Sequence, residues 1–378
     1  MALKGIKVIE FAGLAPVPFC GMVLADFGAS VIRIDKIDSN TDIDCLSNGK
    51  RSIALNLKSS EGNNIIKKLI KSCDVSIEPF RAGVMEKLGL GPKTLMKENP
   101  RLIYARLTGY GQNGPYSKKA GHDINYLALS GLLSIMGRKN EKPMFPINLA
   151  ADFGGGGLMC TLGILMALIE REKSGLGQIV DLNMVNGTSY LGSFIYRSQK
   201  SPLWGNKRGE NVLDSGAPFY EVYKTKDGKY ISVGALEPQF YTQLLQGLNL
   251  TEDEAPQYDF EKSKKIFTER IAEKTRDEWC KIFEPLDACV MPVLELNEAY
   301  ENTHNRSEAA FLQNNNEYFP NVAPKLNRTP GSSNATLKRP NIGEHTYEIL
   351  NELGLQHEEI KQLHKDGVIG CPTIVSKL

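Results

Sequence analysis

The chain has little that would staple it and nothing that marks it as an anchored protein. Its seven cysteines, from Cys20 to Cys371, are odd in number, widely spaced and free of any C-x-x-C pair. That excludes a disulfide framework and a zinc ribbon, and fits a reducing compartment. Charge of one sign is not in excess either, since 45 Lys+Arg against 44 Asp+Glu leave a formal net charge of +1 over 378 residues. No global basic field draws such a chain to nucleic acid or to an anionic membrane, so any anion site has to be local. No apolar signal segment follows Met1, and Glu10, Asp26 and Asp35 come too early for an acid-poor transit peptide. The longest apolar run, Gly157 to Ile169, falls short of the roughly 20 residues that span a bilayer and reads as a core helix.

What is present is an alternation of short β-branched runs with helical patterns. Lys7 to Phe11, Ser30 to Asp35, Asp74 to Ile77 and Leu102 to Leu107 read as strands, with Pro18 to Phe27, Gly62 to Lys71 and Arg81 to Leu88 as helices between them. Such spacing implies βαβ units and a Rossmann-like parallel sheet, an α/β architecture. The G-x-G-x-x-G fingerprint does not follow the first strand, so the layout does not imply a nicotinamide cofactor. Two helices, about Ile124 to Met136 and Phe153 to Glu172, and a strand from Gln178 to Asn183 complete a large first domain, residues 1–185. A Gly-rich linker, 186–217, leads to a smaller α+β domain, 218–312, opened by a hairpin around Lys226-Asp227-Gly228. The stretch 313–340, rich in Asn, Pro and Ser, reads as a second linker, and 341–378 as a segment returning to the first domain through a helix at Gly343 to Leu353.

Only five histidines are present, and four of them (His304, His345, His357, His364) sit in polar C-terminal surroundings that suit solvated surface. His122 differs, because it immediately precedes an apolar helical pattern. Free N–H groups and the positive dipole end at such a site attract an anion and favour a neutral imidazole base. A histidine that merely caps its own helix explains the same placement. Asp152 stands before Phe153 and four glycines, Gly154 to Gly157, at the start of the most apolar helix. A capping carboxylate is ordinary there, but four glycines cost about 1 kcal/mol each against alanine, which points to close approach of a ligand. Lys36, Lys58, Arg81 and Lys87, with Arg33 and Arg51, are scattered through the first hundred positions, and several of them follow predicted strands, where a parallel sheet binds phosphate-rich ligands. Glu237 opens a helix and reads as a cap.

Five segments together carry a resemblance: Leu14-Ala15-Pro16-Val17-Pro18-Phe19-Cys20, Ile77-Glu78-Pro79-Phe80-Arg81, Gly121-His122-Asp123-Ile124-Asn125-Tyr126, Gly216-Ala217-Pro218-Phe219-Tyr220 and Glu237-Pro238-Gln239-Phe240-Tyr241. Over essentially its whole length the chain resembles the α-methylacyl-CoA racemases of the class III CoA-transferase superfamily. The resemblance implies inversion at the carbon α to the thioester of 2-methyl-branched acyl-CoAs, as in branched-chain fatty acid and bile acid side-chain metabolism. His122 and Asp152 would be the two bases. Glu237 would orient the histidine from the partner subunit of an interlocked homodimer. CoA contacts would fall on Lys36, Lys58, Arg81, Lys87, Asp123 and Tyr126, with Leu55 and Leu57 flanking the adenine. Lys36 and Lys87 stand where some relatives carry arginine, which changes the donor geometry. No metal or redox cofactor is implied, since the substrate itself carries CoA.

Two other readings compete. A CoA transferase would use Asp152 as a nucleophile and needs no second base. A silent acyl-CoA binder would not need the set His122, Asp152 and Glu237. The final Ser376-Lys377-Leu378 matches the tripeptide that the peroxisomal import receptor reads, which makes the peroxisome the expected compartment and leaves a mitochondrial fraction open.

Overall fold

The computed structural model describes residues 1–37 and 44–372. The strand runs expected from the sequence, together with one that was not expected, β3 (Arg51–Leu55), form a parallel sheet; the others are β1 (Lys7–Phe11), β2 (Ser30–Lys36), β4 (Val75–Glu78), β5 (Ile103–Thr108) and β6 (Ile179–Asn183). Their order across the sheet is β3-β2-β1-β4-β5-β6, and every neighbouring pair is parallel. That order reverses direction between β1 and β4, which puts the topological switch point at the carboxyl ends of these two strands. Val8, Ile9, Phe11, Ile32, Ile34, Ile53 and Ile77 are buried, as strands covered on both faces require.

The helices that cover the sheet follow from local chemistry. The helix Ser60–Ile70 starts where the Ser59 hydroxyl accepts the Gly62 N–H at 3.0 Å, and its Ile65, Ile66, Leu69 and Ile70 face the core. The helix Pro16–Asp26 begins on a proline, whose missing N–H costs nothing in the first turn. It lies against Glu10 of β1, whose carboxylate bonds the Lys50 ammonium at 2.8 and 3.0 Å while that ammonium also donates to the Pro18 carbonyl at 2.9 Å. A side chain at Gly21 would meet the Glu10 carboxylate at 1.6 Å, so this crossing requires glycine.

By compactness the chain divides into two units, one made of Met1–Ser130, Pro146–Leu191 and Arg306–Leu378, the other of Gly131–Phe145 and Gly192–Asn305. The second contains the antiparallel sheet β7 (Tyr220–Lys224), β8 (Tyr230–Gly234) and β9 (Val290–Pro292) over a core that includes Tyr241, Phe267, Trp279 and Phe283. The first takes in the C-terminal segment, where a short strand at Ile369–Gly370 pairs antiparallel with β3 and Thr346 Oγ1 accepts the Ala54 N–H at 3.1 Å. His345 belongs to this seam, because its Nδ1 accepts the Ser52 N–H at 3.2 Å instead of facing water.

Three stretches differ from the sequence reading. Residues 186–217, read as a linker, open with helices at Met184–Leu191 and Ser193–Ser198. Residues 313–340 overlap a hairpin whose strands are Phe311–Asn314 and Glu317–Pro320, turned by Asn315 at φ 54°, a left-handed geometry that asparagine tolerates. The apolar run at 157–169 belongs to a helix that starts earlier, at Leu149, and continues to Ser174. With 26 residues it is long and apolar enough to cross a membrane, yet it packs on β5, β6 and the helices Pro16–Asp26 and Met184–Leu191 of its own unit.

Candidate active site

Loops leaving the carboxyl ends of β1, β4 and β5 enclose a cavity of about 430 Å³ at the switch point. Leu14, Pro79, Arg81, Tyr110, His122 and Asp152 are among its lining residues. This is where an open α/β sheet binds its ligands.

His122 sits at the N-cap of the helix Asp123–Leu129 with extended backbone, φ −135°. The cap is made by Asn125, whose Oδ1 accepts the His122 N–H at 3.0 Å, while the Asn125 N–H goes to the His122 carbonyl at 2.8 Å. One turn on, the Tyr126 hydroxyl donates to the Gly121 carbonyl, and its ring meets Tyr110 edge-on at 5.1 Å. Burial pushes the Tyr126 phenol up to about 12, with Tyr110 and Asp152 adding to the effect, so it stays a donor throughout the neutral range. A side chain at Gly109 would meet the Tyr126 ring at 2.3 Å, and the tyrosine fits only because that loop is bare.

Asp152 lies in the first turn of a π-helical segment, Leu149–Leu158, that runs on into the α-helix Met159–Ser174. A ten-residue π stretch is uncommon, and wide turns of this kind concentrate at functional sites. The Asp152 carboxyl is half-buried, with one contact from the Asn148 amide at 3.5 Å. Burial first, and then the nearby Asp123 carboxylate, raise its pKa above the ordinary aspartate value, against smaller lowering from Asn148 and His122. Such a group can hold a proton that an exposed aspartate would lose.

The glycine run after Asp152 lies against neighbouring helices of its own unit. Side chains at Gly155 and Gly157 would meet Thr188 at 2.5 Å and the Pro16 carbonyl at 2.7 Å, so the bare backbone admits the two neighbouring helices. Close helix packing gives those glycines a reason within the protein itself.

Of the residues expected to hold CoA, Arg81 and Tyr126 line the cavity, and Asp123 is buried next to it, accepting the Asp152 N–H. Lys36 ends β2, Lys58 follows β3, and Lys87 follows β4, all three exposed along the same carboxyl edge of the sheet. Leu57 is half-buried against the core, whereas Leu55 is 1 % exposed inside it, so an adenine would meet Leu57 and not the Leu55 side chain. Arg33 and Arg51 are engaged elsewhere, the first with Asp35 at 2.9 Å and the second with Glu348 and Glu352. Glu237 belongs to the second unit, where it forms the N-cap of the helix Pro238–Leu248 without a side-chain cap bond.

Residues 3–346 match CoA-transferase family III. The chain belongs to that family. Among its family relatives, the α-methylacyl-CoA racemase of Mus musculus is 54 % identical over 383 residues and that of Homo sapiens 54 % over 384, each covering 100 % of both chains. The crystal structure of a CAIB/BAIF family protein from Brucella suis superposes with a TM-score of 0.79 at 22 % identity, covering 93 % of this chain and 99 % of that one, a likeness of fold. The candidate site also contains residues that the sequence reading passed over, notably Tyr110 and Lys119 in the cavity lining and Asn148 beside Asp152. Tyr110 follows β5 in a Gly109-Tyr110-Gly111 turn, and the rule that ligands meet strand carboxyl ends was the available signal. Among the described residues, no cluster of three His, Cys, Asp or Glu side chains is placed to hold a metal.

Proposed function

We propose that this family III chain inverts the α-carbon of 2-methyl-branched acyl-CoA thioesters, with His122 and Asp152 as the two bases. The observation that carries the reading is that the imidazole of His122, at a helix start, and a carboxyl biased toward its protonated form line one cavity. Full-length similarity to proteins named α-methylacyl-CoA racemase supports the substrate class.

Neutral His122 removes the α-proton, and the C–H electron pair moves onto the thioester oxygen to give an enolate. The first N–H groups of the helix Asp123–Leu129 have no partner within the helix, and the Asp123 N–H is the donor for that oxygen. Protonated Asp152 then delivers a proton to the opposite face, leaving imidazolium and carboxylate, and the reverse reaction exchanges the roles. Arg81, with Lys36, Lys58 and Lys87 along the carboxyl edge, would hold the CoA phosphates, and Leu57 would meet the adenine. The substrate carries the only cofactor required. Branched-chain fatty acid and bile acid side chains are the acyl groups in view.

In deuterium oxide, the purified protein should place deuterium at the α-position of (2R)- and (2S)-methylacyl-CoA alike. His122→Ala and Asp152→Asn should each reduce inversion by at least about 100-fold, as expected for loss of a general acid or base. Near-native inversion by both variants would overturn the assignment. Transfer of CoA to a free carboxylic acid without α-exchange would point instead to a transferase with Asp152 as nucleophile.

Peroxisomal import through Ser376-Lys377-Leu378, residues outside those described, is part of the same proposal, with a mitochondrial fraction as a second destination. An amino-terminal fluorescent fusion should be punctate with the tripeptide and diffuse without it. Punctate signal in both cases would refute that route.

A further inference from the structure

The two proposed bases lie 30 positions apart in sequence, yet one side chain ties their segments together. Asp123, adjacent to His122 in the chain, turns its carboxylate inward, where only 4 % of the residue is exposed. Its Oδ2 accepts the backbone N–H of Ala151 and that of Asp152, each at 2.7 Å. Its Oδ1 is buried with no hydrogen-bond partner. Leaving a carboxylate oxygen unpaired in the interior costs stability, so the fold tolerates a penalty at this place.

We propose that the Asp123 side chain is a positioning residue for inversion, clamping the first turn of the π-helical segment so that the Asp152 carboxyl is held at a fixed distance from the imidazole of the preceding residue. The inference rests on the two-base reading above and deepens it. Both clamped groups are among the N–H donors that a helix start leaves without internal partners, so the clamp satisfies the backbone and locates the catalytic carboxyl in one contact. A charged acceptor with two short N–H bonds is also stiffer than a neutral one.

The unpaired oxygen adds an electrostatic consequence. A second negative charge near Asp152 opposes ionisation of Asp152, in the same direction as its burial. The other groups facing Asp152 are His122, which favours ionisation, Asn148, which donates to it, and the Tyr126 phenol. Arg81 lies in the same cavity beside Tyr126. Raising the carboxyl toward the range of imidazole makes the two one-proton states of the pair closer in free energy, which a reaction running both ways requires.

Two variants separate the roles. Asp123→Asn keeps an acceptor oxygen for the two N–H groups and removes the charge, while Asp123→Ala removes both. With Asp123→Asn, the acidic limb of kcat/KM for α-proton exchange should move to lower pH by about one unit, because a raising influence on Asp152 is gone. KM should stay within twofold. With Asp123→Ala, kcat should fall about 100-fold at every pH, the scale of a 1 Å misplacement, again with little change in KM. An unmoved acidic limb in folded Asp123→Asn overturns the electrostatic part, and native kcat in folded Asp123→Ala overturns the clamp. If Asp123→Ala does not fold, Asp123→Ser, whose hydroxyl is one bond too short to hold the two N–H groups, takes its place with the same expected loss. Absence of α-exchange in the wild-type protein would instead refute the two-base reading itself, so the two failures are distinct.

Discussion

The buried ion pair with most at stake is Glu10 with Lys50. Both side chains are completely buried, 2.8 Å apart, and the ammonium also holds the Pro18 carbonyl at the start of the helix that lies over β1. Burial lifts the Glu10 carboxyl to about 7, with Lys50 pulling the other way. A carboxyl raised above its ordinary 4.5 favours the fold most below that value and loses the contribution as pH climbs through about 7. Lys50→Met removes the cation that makes ionised Glu10 tolerable, so its penalty should be greatest on the alkaline side. Denaturant unfolding near pH 8 should show a loss of about 3–5 kcal/mol, the usual consequence of stranding one member of a buried pair. Near pH 5, where Glu10 is protonated, the loss should be distinctly smaller. Equal losses at both values would mean that Lys50 contributes by packing alone.

At the level of elements, the strands were legible because each is a short apolar run bounded by turn residues. Lys7–Phe11 matches the sequence reading to the residue, and the other strands that were read in the large parallel sheet shift by one. β3 was not read as a strand, since Arg51-Ser52 begins it with polar residues that are held by contacts far along the chain, Ser52 with His345 and Arg51 with Glu348. The His122 helix start was visible, but the partner that caps it was not, because Asn125 reaches back by a side-chain bond that periodicity does not reveal. The π-helical turn was equally hidden. Its glycines were conspicuous, and their purpose could be read only once Thr188 and Pro16 were seen pressed against them. The Asp123 clamp joins residues about 30 apart in sequence, and no local pattern encodes it.

For the molecule as a whole, the long helix that carries Asp152 poses a question of partnership. Leu158, Leu162, Met166 and Ile169 fall on one stripe at spacings of four, four and three, and all are exposed, Met166 by 59 %. Tyr190 and Leu191, on the following helix of the same unit, are exposed as well. Apolar stripes of this extent mark association surfaces, and an interface formed by a second copy of the chain is the commonest way to cover one. The homodimer implied by the family resemblance would cover this face, and the same resemblance implies that Glu237 of the partner subunit orients His122. Light scattering on the eluting protein should therefore give twice the chain mass, and Met166→Asp should reduce it to the chain mass. The same substitution should lower kcat for α-proton exchange, because a monomer would lack the partner's Glu237, while Glu237→Gln should lower kcat and leave the mass doubled. A wild-type protein that elutes at the single-chain mass at all concentrations, with full activity, would remove both the dimer and the assignment of Glu237 to it.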